Sequence, residues 1–267
     1  MAKYSDIKGF TVQTLSSDPA ASIAETGTWA SGTSINTGRL QLGGTGIESA
    51  SLVFESWNGT SWTEVAESNS NARNRGNAGT QTAGIAFGGK TPPPNAAIAT
   101  TETWNGSAWT EVNDLNTART TVGARNGTTT ASLAIGGNQP PYKQTESWDG
   151  TNWTEVNDTT SVRKEVHIGG GTQTSSLVFG GENTTARVAN TESWDGTNWT
   201  EVADLSATVN FHTGGGASNS SAWSTGGTSS TSNTEIWSTT PSALFQKIIE
   251  GQLYFNSTTN TFKETIL

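Results

Sequence analysis

Short apolar runs alternate with polar, glycine-rich segments along most of this chain. The runs GIAFGG, SLAIGG and SLVFGG, at residues 84–89, 132–137 and 176–181, each end in a pair of glycines. An apolar run of this length, bounded by glycine, is too short for a helix and is typical of a buried β-strand. The pattern therefore predicts many short strands joined by tight turns.

A second pattern follows each apolar run after a variable loop. TESWDGTNWTEV occupies residues 145–156 and again 191–202, with close copies at 101–112 and 54–65. The Asn-Gly or Asp-Gly dipeptide between the tryptophans favours a type I′ turn, and the flanking aromatic and β-branched residues favour strands. Each copy predicts a hairpin. Because one hairpin is marginal in water, we expect the units to pack on one another.

Both patterns repeat with the period of a propeller blade. The first tryptophans of successive units are 47, 44, 46 and 43 residues apart, at Trp57, Trp104, Trp148, Trp194 and Trp237. In every unit except the first, a glycine doublet closes the second strand, and in all five this tryptophan lies on the third. The fourth strand carries another tryptophan, at Trp62, Trp109, Trp153 and Trp199.

These units resemble the blades of kelch-repeat β-propellers over residues 28–240. The resemblance implies an all-β propeller. Outside it we expect an N-terminal arm at residues 1–27 and, from the residue pattern there, a C-terminal β-hairpin extension at residues 241–267. The resemblance implies no particular activity, because propellers carry unrelated functions.

The two ends of the repeat predict the number of blades. TEIW at residues 234–237 is a third strand with no fourth strand after it, and TGTWASG at 26–32 is a fourth strand with no third strand before it. We therefore predict a five-bladed kelch-like β-propeller closed by an N-terminal strand. Closure of this kind removes an exposed sheet edge.

The first blade is irregular. Counting from Arg39 as from Arg119 places Leu52-Val53-Phe54 opposite Leu133-Ala134-Ile135. In that register the blade lacks its own glycine doublet and the loop after it. It has either three strands or an unusually tight connection, and the sequence leaves both open.

Composition and charge narrow the range of partners. The 267 residues carry a net charge of −9 and contain no cysteine. An acidic chain lacks the basic surface that phosphates require, so we expect no nucleic-acid partner. No signal peptide or apolar span is visible, so we expect synthesis in a host cytoplasm and no membrane insertion. Eleven regularly spaced tryptophans argue for an ordered chain.

The sequence shows no catalytic motif. The two histidines, His167 and His212, fall in corresponding regions of consecutive units, where we expect turn residues with polar tips. One glutamate per blade recurs on the fourth strand and is expected to be solvated, at Glu64, Glu111, Glu155 and Glu201. Such carboxylates lie too far apart for a glycosidase pair. We predict no catalytic, cofactor-binding or metal-binding residues, and no enzyme.

Recurring arginines are the first candidate ligand-binding residues. They precede the first strand of successive blades, at Arg39, Arg73, Arg119 and Arg163, with Asn210 in the fifth blade. They either converge on one mouth of the channel and bind an acidic glycan, or tie neighbouring blades together through carbonyl hydrogen bonds. Four of the third-strand tryptophans are expected to fill the core, namely Trp57, Trp104, Trp148 and Trp194.

The variable loops are the second candidate. The segments 90–100, 138–144 and 182–190 all follow a glycine doublet, so we expect them on one face of the ring. Variable loops on a rigid scaffold are a common binding surface. Tyr142 and Lys143, next to two prolines, are the predicted contact residues.

The two tails resemble segments of phage tail and virion structural proteins. The resemblance is carried by EGQLYFNSTTNTFK at 250–263, which also predicts a hairpin, and by IKGFTVQTLSSDPAASIAETGTW at 7–29. It implies a virion protein, such as a fibre, knob or decoration component, that adheres to a host surface or glycan. The tails would bind other virion proteins or sister subunits. A carbohydrate-active enzyme of propeller type and an intracellular kelch interaction scaffold are the alternatives.

Overall fold

The structure is a computed structural model of the chain. It describes residues 34, 36, 45–47, 50–52, 55–120, 127–165, 169–210, 212–227, 234–239, 253–256 and 261–264. The chain divides into two compact units, Met1–Ser34 and Ile35–Leu267. Of the first unit only Ser34 is described, so the account that follows concerns the second.

All regular structure in the described residues is β, and no helix that could cross a membrane is found there. Four sheets have four strands each and are called blades 1 to 4. Blade 1 contains β1 (Thr45–Ile47), β2 (Ala50–Leu52), β3 (Glu55–Trp57) and β4 (Trp62–Glu64). Blade 2 contains β5 (Gly76–Gly79), β6 (Gly84–Phe87), β7 (Thr101–Trp104) and β8 (Trp109–Val112).

The later strands continue this order. Blade 3 contains β9 (Gly127–Thr128), β10 (Ala131–Ile135), β11 (Thr145–Trp148) and β12 (Trp153–Val156). Blade 4 contains β13 (Gly169–Thr172), β14 (Ser175–Phe179), β15 (Thr191–Trp194) and β16 (Trp199–Val202). A three-stranded sheet, called sheet 5, contains β17 (Thr213–Ser218), β18 (Ser221–Thr225) and β19 (Thr234–Ser238). The predicted C-terminal hairpin is present as β20 (Leu253–Asn256) and β21 (Thr261–Glu264).

The core lies between successive sheets. Residues from the second strand of one sheet pack against residues of the next, as Leu133 and Ile135 of β10 pack against Trp199 of β16. The rings of Phe87 and Trp153 lie 4.7 Å apart in the edge-on geometry that aromatic pairs favour. The first strands of neighbouring sheets also contact each other. This arrangement of sheets is propeller-like, as predicted.

The prediction of core tryptophans is confirmed for three of the four third-strand residues. Trp104, Trp148 and Trp194 are at most 2% exposed. Trp57 is half-buried.

The number of complete blades differs from the prediction. The described residues form four complete blades rather than five, and sheet 5 has three strands. The fourth strand that the sequence analysis assigned to it, residues 26–32, lies outside the described residues. Closure by that strand therefore stays a prediction.

The two alternatives for blade 1 are resolved in favour of a tight connection. The blade has four strands, with only residues 53 and 54 between β2 and β3. Its register is the predicted one, because Ser51 pairs with Trp57 as Ser132 pairs with Trp148. Blade 1 therefore keeps the fold of the repeat without the long loop.

The hairpin turns are not the predicted type I′ turns. In the turn Asn58–Ser61 only Gly59 has positive φ, at 89°, whereas type I′ requires it at both central residues. The Asn58 side chain instead accepts hydrogen bonds from the backbone N–H groups of Thr60 and Ser61, both at 2.9 Å. The asparagine or aspartate thus begins the turn and caps it, and glycine supplies the left-handed conformation.

Candidate functional site

Each blade has a buried carboxylate on its third strand. These glutamates are at most 2% exposed, at Glu55, Glu102, Glu146 and Glu192. In blades 2 to 4 an arginine from the segment before the first strand forms an ion pair with it. The pairs are Arg75–Glu102, Arg119–Glu146 at 2.7 Å and Arg163–Glu192 at 3.1 Å.

The pair in blade 3 shows which hydrogen bonds compensate for the energetic cost of burying two charges. The Arg119 guanidinium donates to the carbonyl oxygens of Gly136 at 3.0 Å and Gln144 at 2.8 Å. The second oxygen of Glu146 accepts from the backbone N–H of Asn116 at 2.7 Å. Burial lowers the pKa of Arg119, and the Glu146 carboxylate offsets part of that effect. The pair fastens the segment between blades to two strands of blade 3.

The predicted arginines are not equivalent to one another in the structure. Arg119 and Arg163 are fully buried. Both donate hydrogen bonds to backbone carbonyls, as expected if these arginines hold the blades together. In blade 2 the equivalent residue is Arg75 rather than Arg73, whose side chain donates to Asn95. Arg39 lies outside the described residues. A ligand-binding role for these arginines stays a prediction.

The fourth-strand tryptophans join one blade to the blade before it. Nε1 of Trp153 donates to Oγ1 of Thr101 in blade 2 at 3.0 Å, and Nε1 of Trp199 donates to Oγ1 of Thr145 in blade 3 at 3.2 Å. Trp109 lacks this bond, and its Nε1 has no partner among the described atoms. The residue at the corresponding position of blade 1 is Phe54, which has no hydroxyl group.

In blades 2 to 4, the loops that follow the glycine doublets begin at the same position of the blade. Gly89, Gly137 and Gly181 donate their backbone N–H groups to carbonyls of the next inter-blade segment, at 2.8, 3.3 and 2.7 Å. The loops that follow differ in length and composition. A shared attachment with divergent tips is the arrangement that the sequence analysis predicted for a binding surface.

Tyr142 and Lys143 are both half-buried in the loop of blade 3. Tyr142 has a φ of 67°, a conformation that is uncommon for a non-glycine residue. The Lys164 ammonium lies 5.0 Å from the centre of the Tyr142 ring, within the range of a cation–π contact. The structure thus adds Lys164 to the two residues that the sequence singled out.

The other candidate groups do not form a reaction centre in the described residues. The fourth-strand glutamates are exposed, as predicted, at Glu64, Glu111, Glu155 and Glu201. His212, which we expected to be a turn residue with a polar tip, is only 3% exposed, and the centre of its ring lies 5.6 Å from that of Phe179. His167 lies outside the described residues. No cluster of metal-ligating side chains is found among the residues that are described.

Sequence reasoning missed the buried glutamates, although a signal was present. In TETW the side chains of Glu102 and Trp104 point to the same face of the strand, because they are two residues apart. A glutamate on the face of a buried tryptophan requires a cationic partner. Arginine precedes it by 27 residues in blades 2 and 3 and by 29 in blade 4.

The sheets and their packing define a propeller-like protein. A solved structure titled "Structure of YjhT", of a propeller-type protein, is similar to this chain with a TM-score of 0.60. The match covers 73% of this chain and 75% of that chain at 11% identity, so the likeness concerns the fold alone. No family model and no curated protein matches the sequence.

Proposed function

We propose that this protein is a non-enzymatic component of a phage virion that displays a kelch-like propeller for adhesion to a host surface or glycan. The observation that supports the proposal is a difference between the repeated and the variable residues among those that the structure describes. The repeated charged pairs are buried and hold the blades, whereas the loops after the glycine doublets vary on a constant scaffold. That difference favours binding by the loops over catalysis by the repeat.

The proposed propeller has five blades, with residues 26–32 as the fourth strand of sheet 5. Support comes from the apolar face that sheet 5 leaves exposed. Trp223 is 43% exposed, although its equivalent in blade 4, Leu177, is buried against the next sheet. Ile236 beside it is 81% exposed. A ring in which blade 1 packs on this face would cover both residues and would remove a sheet edge.

The proposed adhesion surface centres on Tyr142, Lys143 and Lys164. A tyrosine ring provides a flat apolar face on which a sugar ring can stack, and an adjacent ammonium attracts a carboxylate or sulfate group. Lys143 follows the tyrosine in sequence, and the Lys164 ammonium lies 5.0 Å from its ring centre, on a chain of net charge −9. The ligand class that fits is an acidic glycan of the host surface.

The virion assignment is tested on particles. We expect mass spectrometry of purified phage particles to detect the protein, and gold-labelled antibody to mark the particle surface in electron micrographs. A protein recovered from the producing cell but absent from purified particles contradicts the assignment.

The adhesion surface is tested by binding to a panel of neutral and acidic glycans. Tyr142→Asn combined with Lys164→Ala is expected to abolish binding while the unfolding midpoint changes little, since asparagine tolerates positive φ. Asn95→Ala is the control, because Asn95 also follows a run of prolines, here three, and has a φ of 68°. Equal binding by the parent and the double variant would refute this surface, and turnover of any glycan would favour the enzyme alternative.

A further inference from the structure

Sheet 5 lacks the arginine that pairs with the third-strand glutamate in blades 2 to 4. Its glutamate is Glu235, which accepts a hydrogen bond from the backbone N–H of Ser206 at 2.9 Å. Glu192 of blade 4 accepts the equivalent bond from Thr160 at 2.6 Å, so the two glutamates occupy the same position of the repeat. Among the described residues, no cation forms an ion pair with Glu235.

A valine stands in the place of the arginine. Arg163 accepts a hydrogen bond from the backbone N–H of Gly137, the second glycine of the doublet in the preceding blade. Val209 accepts the same bond from Gly181, at 2.7 Å. The Val209 side chain lies against the glycine doublet of sheet 5, since a Cβ atom added to Gly227 would collide with its Cγ2. Valine ends there, so no guanidinium reaches the carboxylate from this position.

Asn210, the residue predicted in the arginine's place, does not have this role. It directly follows Val209, and its side-chain N–H group donates to a carboxylate oxygen of Glu182 in blade 4 at 3.0 Å. That contact holds the amide to blade 4 and not to the third strand of sheet 5.

Glu235 lies in the wall of a cavity of about 130 Å³ between sheet 5 and blade 4. Phe179, Leu205 and Trp237 supply apolar surface to this wall, and Asp204 adds a second carboxylate. The side chains of Glu235 and Trp237 lie on the same face of β19, because they are two residues apart. None of the described residues that line the cavity is cationic.

We propose that sheet 5 binds the guanidinium group of an arginine side chain that belongs to a partner protein. Blades 3 and 4 show the contact, because each has a guanidinium that donates both to the third-strand carboxylate and to backbone carbonyls. The site is independent of the adhesion surface proposed above, because it lies in sheet 5 and not in the loop of blade 3.

The chemistry of the cavity favours a peptide arginine over other cations. A guanidinium is planar, weakly hydrated and able to stack on an indole ring, whereas an ammonium is strongly hydrated. The apolar stem of arginine can lie along the apolar part of the wall. Free arginine fits less well, since its α-carboxylate would be repelled by the two acidic side chains.

The test is calorimetric titration of the full chain, at low salt, with a blocked tripeptide that has arginine between two glycines. We expect binding, and binding weaker by at least about tenfold when citrulline, which has the same shape without the charge, replaces arginine. Glu235→Gln is expected to weaken binding of the arginine peptide by the same factor. Glu155→Gln is the matched control, because it removes an exposed carboxylate of blade 3, and it is expected to leave binding unchanged.

A second variant supplies the guanidinium from within the chain. Val209→Arg reproduces the arrangement of Arg163 and Glu192. We expect it to abolish binding of the arginine peptide while the urea midpoint stays at or above that of the parent, because Glu235 then has a counter-charge. Full peptide binding by the folded variant would overturn the proposal.

Four other results would also overturn it. The first is absence of binding by the parent, and the second is equal binding of the arginine and citrulline peptides. Equal losses in Glu235→Gln and Glu155→Gln would show general attraction to an acidic surface. Tighter binding of free L-arginine than of the blocked peptide would show that the ligand is an amino acid and not the side chain of a partner.

Discussion

Residues of one type have unequal roles in this protein, and burial decides which role each one has. Glu146 and Glu155 are direct cross-strand partners in blade 3. Glu146 is buried against Arg119, whereas Glu155 on the outer strand is exposed. A buried charge must be paired, but an exposed carboxylate is stabilised by water. The same substitution therefore has different consequences at the two positions.

Glu146→Gln is expected to lower the free energy of unfolding by about 3–5 kcal/mol, because it leaves the Arg119 guanidinium buried without a counter-charge. Glu155→Gln is the matched control and is expected to change that free energy by less than about 0.5 kcal/mol. Urea unfolding followed by tryptophan fluorescence measures both. Losses of equal size would contradict the structural role of the ion pair.

The aspartates of the hairpin turns make blades 3 and 4 sensitive to acid. The carboxylate of Asp149 accepts backbone hydrogen bonds from Asn152 at 2.7 Å and Thr151 at 2.8 Å, which lower its pKa. Asp195 has the same contacts and a lowered pKa. A pKa that is lower in the folded state gives a contribution to stability that is present above the unfolded pKa. That contribution is lost as the pH falls through the folded pKa.

The double variant Asp149→Asn and Asp195→Asn is expected to lose less stability than the parent on acidification below about pH 4. Asparagine keeps the accepting oxygen, as Asn58 and Asn105 do in blades 1 and 2, but does not titrate there. The urea midpoint measured across the acid range tests this. Parallel pH profiles for the parent and the variant would contradict it.

At the scale of elements, the glycine-rich segments allow the inner strands to approach each other. A Cβ atom on Gly170 of β13 would lie 2.8 Å from the backbone nitrogen of Gly216 in β17 and 2.9 Å from the carbonyl carbon of Gly215. Real Cβ atoms do not approach backbone so closely, so these two strands pack main chain against main chain. The glycine runs of the repeat are therefore a packing requirement and not only a source of flexibility.

Gly170→Ala is expected to lower the free energy of unfolding by about 1–3 kcal/mol, because it forces the first strands of blade 4 and sheet 5 apart. Thr172→Ala, at an exposed position of the same strand, is the control and is expected to have a small effect. Urea denaturation compares the two. A variant at Gly170 as stable as the control would show that the inner strands are not in close contact.

Much of the element structure could be predicted because its causes are local. Glycine-bounded apolar runs became β6, β10 and β14, and the tryptophan hairpins became the third and fourth strands. The turn type was missed because propensity for Asn-Gly does not reveal that the Asn58 side chain caps the turn. The role of Arg75 was missed because it depends on an ion pair with Glu102, 27 residues away in sequence.

For the molecule as a whole, the number of blades depends on contacts between distant segments, which no local sequence pattern determines. The four complete blades are each built from one continuous repeat. Sheet 5 is one strand short of a complete blade, and its fourth strand would come from the other end of the chain. A ring closed by two distant segments gains stability only when the last interface forms, because its loop-closure entropy must first be overcome. The five-bladed ring with this closure is a proposal.

A designed disulfide tests whether the ring has five blades. In blade 4, Trp194 pairs with Trp199 and Ser193 with Thr200. If residues 26–32 are the fourth strand of sheet 5, as proposed, the same register would pair residue 30 with Ile236 of β19. Cross-strand partners are close enough for a disulfide, and the chain has no cysteine that could compete. The control pair is Ser193→Cys with Thr200→Cys. We predict that Ala30→Cys with Ile236→Cys forms an intramolecular disulfide as completely as the control in the monomer. A pair that stays reduced, or that links only separate chains, while the control closes, would contradict the five-bladed ring.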